Sequence, residues 1–214
     1  MQQLSVGESI KFGWETFKKR PWILIGGFVL AMAISGVASA VLAPAEDAPM
    51  GFVPFLMMLA SAVIGLFVEI GLVTFALRAH DRVEAVSIND LWNPAPFWRY
   101  LGGQILVGII VIIGFILLIV PGIIAALGLV FTSYLIIDKG RGPIEAMKES
   151  WRITKGHRWQ LLLLVLAVAG LNVIGFFLLL VGLLVTVPVS MLAMIHAYRK
   201  LEHAASEVTP VPVA

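Results

Sequence analysis

Residues 138–159, DKGRGPIEAMKESWRITKGHRW, hold six of the fifteen Lys and Arg residues in 22 positions, and a long apolar run abuts the segment on each side. A segment that basic, pinned between two membrane-length runs, is expected on the cytoplasmic face. It also reads as a helix. Gly142 and Pro143 suit its start, with Pro at the first helical position, and Gly156 suits a left-handed stop. Ile144, Met147, Trp151 and Thr154 form an apolar stripe, with Glu145, Lys148, Glu149, Arg152 and Lys155 on the other faces, so the expectation is a helix lying in the membrane interface.

Composition agrees. The 214 residues are 60% hydrophobic and 13% charged, half the charge usual in soluble domains, and the mean hydropathy is +0.99. Together with apolar runs of about 20 residues this predicts a polytopic helical membrane protein, one membrane domain over residues 1–202. The net charge of +2 follows from basic residues kept on the inner side, so no nucleic-acid partner is implied. The absence of cysteine excludes disulfides, zinc–thiolate sites and cysteine nucleophiles.

Outward from the opening segment the chain repeats itself. Residues 5–20 begin with Ser5 and Glu8 in capping-box spacing and place Val6, Ile10, Trp14 and Phe17 on one face, giving another interfacial helix that ends at Lys18, Lys19 and Arg20. The first span is expected at 22–43, with Gly27, Ala31, Ser35, Ser39 and Ala43 as a ridge of small side chains that another helix can approach closely. Ala43-Pro44-Ala45 resembles a signal-peptidase site, but the run before it is too long for a usual signal core, so the span is expected to be retained. The loop 44–51 is acidic and lacks Lys and Arg, which places it outside. A second span follows at 52–77. Ser87 and Asp90 then suggest a short capped helix, interrupted by Pro94 and Pro96. The apolar stretch 101–137 divides at Pro121-Gly122 into spans 101–120 and 122–137, and 159–198 divides at Gly182 into 159–180 and 183–198. Residues 203–214 read as a flexible tail.

The result is an all-α fold: six transmembrane helices as three hairpins, each preceded by a cytoplasmic interfacial helix, both termini cytoplasmic. All fifteen Lys and Arg and all six Trp fall at the inner ends under this topology. Trp14 and Trp22, Trp151 and Trp159, and Trp92 and Tyr100 are each eight apart, which suggests three copies of one unit in the same orientation.

The motifs SVGESIKFGWETFKK, LLIVPGIIAALGLVFTSYLIID, GPIEAMKESWRITKGHRW and the closing AYRKL resemble those of the YciC-like bacterial membrane proteins, a group akin to the membrane domain of some glycerophosphodiester phosphodiesterases. The resemblance covers nearly the whole chain and implies a six-span protein of the bacterial inner membrane. It implies no activity, and the catalytic groups of the phosphodiesterase domain have no counterparts here.

Among polar residues, Glu69 stands out. It lies nine positions before Arg78, or about 14 Å of helix, near the middle of a core about 30 Å thick. A carboxylate there marks a proton-coupling or cation-binding site, or is a neutral acid hydrogen-bonded inside the bundle; Asn172 is its candidate partner. Thr132, Ser133, Tyr134, Thr186 and Ser190 could line a polar path, although such hydroxyls usually bond their own helix. His80, His157, His196 and His203 lack metal-site spacing, so no metal or cofactor is expected, and no acid, base and nucleophile set supports an enzyme. Lys18, Lys19, Arg20, Arg152, Lys155 and Arg158 are the candidates for binding anionic lipid headgroups. The expected role is non-enzymatic membrane organisation or lipid-linked envelope support, with membrane lipids as partners and homo-oligomers open; a small proton- or cation-coupled transporter or channel using Glu69 is the alternative.

Overall fold

The structure, a computed structural model, describes residues 4–44, 51–178 and 181–208. Most of the expected acidic loop, at 45–50, and the end of the expected tail, at 209–214, lie outside the described residues. The helices are α1 (Val6–Lys19), α2 (Pro21–Leu42), α3 (Phe52–Arg82), α4 (Phe97–Leu117), α5 (Ile119–Leu129), α6 (Thr132–Lys139), α7 (Pro143–Thr154), α8 (Arg158–Phe177) and α9 (Leu183–Val208), with a 3-10 turn at Ile88–Leu91.

Among the described residues, five stretches are long and apolar enough to cross a membrane: Pro21–Leu42, Phe52–Arg82, Phe97–Leu117, Ile119–Lys139 and Arg158–Phe177. α9 is not among them, because its second half carries His196, Arg199, Lys200 and Glu202. It also continues to Val208, so residues 203–208, expected as flexible tail, are helical.

The middle hairpin turns earlier than its Pro-Gly pair suggests. The helix breaks at Leu118, which is extended, and Pro121 sits in the first turn of α5. A proline is tolerated there because the first N–H groups of a helix have no intrahelical acceptor. Gly122 packs against Gly114, where a Cβ would lie 2.9 Å from its Cα. Gly175 and Gly182 close the last hairpin in the same way.

The fourth of these stretches, Ile119–Lys139, is discontinuous at Val130-Phe131. Within a bilayer a broken helix must find other partners for its freed backbone groups. α7 supplies them: the Ser150 hydroxyl donates to the Gly128 carbonyl (2.8 Å) and accepts from the Phe131 N–H (3.2 Å), fully buried. Ser150→Ala should therefore lower unfolding stability by about 1–3 kcal/mol, the cost of a buried unpaired N–H, in a detergent unfolding titration. A loss within error of zero would show that the break is satisfied without α7.

The two expected interfacial helices dock through a face that shares only Phe17 and Thr154 with the fully buried part of the expected stripes. On α1 the buried residues are Ser9, Gly13, Thr16 and Phe17; on α7 they are Ala146, Ser150, Ile153 and Thr154. Trp14, Ile144 and Trp151 are exposed. In water the apolar stripe would face the core, but beside a bilayer it has a second apolar solvent to face, and close helix contact favours small residues. The expected helix before the middle hairpin is only the 3-10 turn, although its Ser87–Asp90 capping box is complete in both directions. In α1, by contrast, Ser5 accepts from the Glu8 N–H, but the Glu8 side chain turns away to Lys200.

The three units nevertheless share a register. Adding 137 to Ser9, Gly13, Thr16 and Phe17 gives the four buried residues of α7, and exposed Trp22 becomes exposed Trp159. Trp22, Trp98 and Trp159 each precede by two a buried residue (Leu24, Tyr100, Leu161) and by five another (Gly27, Gly103, Leu164). The middle unit thus aligns on Trp98, not on the expected Tyr100, which is fully buried. The second helix of each unit packs on the interfacial element of the next: α3 on the 88–91 turn, α5 and α6 on α7, and α9 back on α1. The chain closes on itself as a ring.

Candidate functional site

The second helices meet at one end, and their meeting point is the most concentrated polar site among the described residues. Gly71-Leu72-Val73 on α3 and Gly128-Leu129-Val130 at the end of α5 occupy equivalent places, and ten positions after each glycine comes an aspartate, Asp81 and Asp138. Both carboxylates point at Arg199 of α9. The Arg199 guanidinium donates to Asp81 through Nη2 (2.7 Å) and Nε (3.2 Å), and to Asp138 through Nη1 (2.7 Å) and Nη2 (2.9 Å). Two bidentate forks on one guanidinium fix direction as well as charge. The Tyr198 hydroxyl adds a bond to Asp138 (2.9 Å), and Lys139 pairs with Glu202 (2.9 Å). Burial disfavours the charged form of Arg199, but the bonds and charges of Asp138 and Asp81 outweigh it and raise its pKa.

Gly140, in the left-handed conformation at the end of α6, stops that helix just after Asp138 and Lys139. α1 completes the site. Glu8 pairs with Lys200 (2.6 Å), which holds its carboxyl below the usual range. Phe12 stacks on His196 (4.3 Å between ring centres) and lies against His80 (4.6 Å), while His80 Nε2 and His196 Nδ1 are 3.5 Å apart. Together these groups line an open cleft of about 1030 Å³. Its charges are largely paired with one another, so what the arrangement does chemically is clamp four helices. Among the described residues, no group of three His, Cys, Asp or Glu converges to hold a metal ion.

The expected intramembrane pair does not form. Glu69 accepts from Gln104 Nε2 (3.2 Å), which also donates to the Tyr100 hydroxyl (3.0 Å); Glu69 accepts from that hydroxyl too and is exposed. Asn172 donates to Ser190 instead (3.1 Å). The hydroxyls of Thr132 and Thr186, expected to bond their own helices, find no partner among the described residues. Of the small-residue ridge on α2, only Gly27 and Ala31 are buried, with Gly27 against the Phe75 ring.

The six lipid-headgroup candidates divide. Arg20 donates to the Glu84 and Val86 carbonyls, Arg152 forks onto Glu149, and Arg158 stacks on Trp151 (4.1 Å). Lys18, Lys19 and Lys155 are exposed, and Lys18 and Lys155 hold equivalent positions in their units.

Apolar helices of spanning length joined as hairpins and clamped at one charged end define a polytopic helical membrane protein. Residues 98–212, more than half of the chain, match the family described as Domain of unknown function (DUF7847), and the chain belongs to that family. It is similar to Uncharacterized protein Rv2560 of Mycobacterium tuberculosis, 25% identical over 97% of this chain and 72% of the relative, and to Uncharacterized protein Mb2590 of Mycobacterium bovis, also at 25% with the same shares covered. No solved structure matches. The family shown is therefore this one, and a tie to the YciC-like proteins or to phosphodiesterases is not part of it.

Proposed function

We propose that the chain is a non-enzymatic six-span protein of the cytoplasmic membrane, with both termini and the clamped end at the inner face, that binds anionic lipid headgroups and organises the membrane around it. α9 is the sixth span. The observation that supports this reading is the outer rim of the clamped end: all six Trp are exposed, from 40% for Trp151 to 84% for Trp22, beside Lys18, Lys19 and Lys155. Lys18 sits over Trp14 (5.9 Å), so aromatic and cation share one surface. Amphipathic rings and ammonium groups at one level suit the headgroup layer.

Each Lys near an anionic surface contributes about 1 kcal/mol, so Lys18, Lys19 and Lys155 changed together to Gln should weaken binding by up to about 3 kcal/mol, roughly a hundredfold, at low salt. The measurement is retention of phosphatidylglycerol against phosphatidylcholine on the purified protein by native mass spectrometry. Equal retention by the triple variant and the unchanged protein would sink the reading. The competing reading, a proton- or cation-coupled carrier, draws on the polar surroundings of Glu69. It requires flux in proteoliposomes that Glu69→Gln abolishes.

A further inference from the structure

Glu69 belongs to a span and stays exposed, although its carboxylate also accepts from the Tyr100 hydroxyl of its own chain. Its partner Gln104 lies seven residues into α4, about 10 Å of helix from its start, so the pair sits within the hydrocarbon layer. Intramembrane carboxylates almost always face a bundle interior or a wet cavity, because hydrocarbon offers them no hydrogen bonds. A single copy of this chain leaves Glu69 exposed and Gln104 half-buried.

The surface around the pair is shaped for a neighbour. Gly65 on α3 and Gly108 on α4 lie one turn farther from the clamped end, on the same faces as Glu69 and Gln104. A Cβ built at either would meet nothing within 4 Å, unlike Gly71 and Gly114, which neighbouring backbone requires to be glycine. Nothing within the chain therefore calls for glycine at 65 or 108, although glycine is the poorest helix former after proline. Exposed Ile105 and Ile112 flank this notch on α4.

We propose that a second copy of the chain covers this face, α3 and α4 of one copy packing on α3 and α4 of the other about a two-fold axis. A carboxyl and a primary amide together offer both donors and acceptors, so a two-fold relation lets each pair bond its own image. The open glycines let the backbones approach closely enough for those bonds.

The chain has no cysteine, so a single introduced thiol reports self-proximity alone. Gly108→Cys in native membranes should give a disulfide-linked dimer on oxidation, while Leu166→Cys, exposed on α8, should not. Adding Glu69→Leu, or Gln104→Leu if that variant does not accumulate, should cut the Gly108→Cys dimer by about tenfold or more, whereas Glu69→Gln should preserve it. Three results would overturn the proposal: a monomeric mass for the unchanged protein in lipid nanodiscs without a Gly108→Cys dimer, equal dimer yields from Gly108→Cys and Leu166→Cys, or yields indifferent to the leucine variants.

Discussion

Arg199→Met should unfold this protein more readily by about 3 kcal/mol, the lower part of the range for removing one partner of a buried ion pair. The size follows from what remains. Asp81 and Asp138 would face one another without the guanidinium that both now grip, and Asp138 has only 15% of its side chain exposed. Asp81, at 47%, can recover water, which is why the upper end of the range is not expected. Arg199→Lys keeps the charge but loses the two forks, so its loss should be smaller. Adding Asp81→Asn and Asp138→Asn to Arg199→Met should recover much of the stability, because the uncompensated charges then disappear. The measurement is unfolding in mixed micelles for each variant, assembled as a thermodynamic cycle. A loss below about 1 kcal/mol, or no recovery in the triple variant, would mean that the charges meet without holding the helices.

The parts of this fold legible in the sequence are those the bilayer dictates along one dimension. Spans at 22–43 and 159–180 lie within a few residues of α2 and α8, because a run of apolar residues bounded by charge has few other solutions. What needed a second dimension was missed. Asp81, Asp138 and Arg199 each stood among basic residues that topology alone accounted for, and nothing local said that they met. The available signal was the repeat: two Gly-Leu-Val stretches, each followed after ten positions by Asp, together with the AYRKL motif whose Tyr198, Arg199 and Lys200 all make site contacts.

Helices α1 and α7 depart from that one-dimensional pattern. Counting apolar residues grouped Trp14 with Phe17 and Trp151 with Thr154, yet the two tryptophans are exposed while Phe17 and Thr154 are buried. The rule that the apolar stripe marks the core assumes water on the other side. Beside lipid the docking face is instead the one that lets backbones close, and Ser9 with Gly13, or Ala146 with Ser150, shows it. Glu69 is expected to pair with Asn172 because both are isolated polar residues in spans, but the amide that reaches it is that of Gln104.

Gly13→Val should detach α1 from α9. A Cβ at Gly13 would lie 2.5 Å from the Val189 carbonyl oxygen and 3.2 Å from the Ala193 nitrogen, both backbone atoms of a helix and unable to rotate away. α1 must therefore retreat, and retreat pulls Phe12 from between His80 and His196 and Glu8 from Lys200. Overpacking of this kind costs about 1–3 kcal/mol, so protection of the α1 amides against hydrogen exchange should fall by roughly tenfold to a hundredfold. Trypsin should reach Lys11, Lys18 and Lys19 more readily. Amides of α3 and α6 should keep their protection, because Arg199 still ties α9 to both. Gly7→Ala is the matched control: a Cβ there meets nothing, and the same helix should gain up to about 1 kcal/mol from losing a glycine. If Gly13→Val leaves α1 as protected as before, close backbone approach is not what holds it. If protection collapses through α3 and α6 as well, α1 is a keystone of the ring, and the clamp at Arg199 cannot hold the second helices together without it.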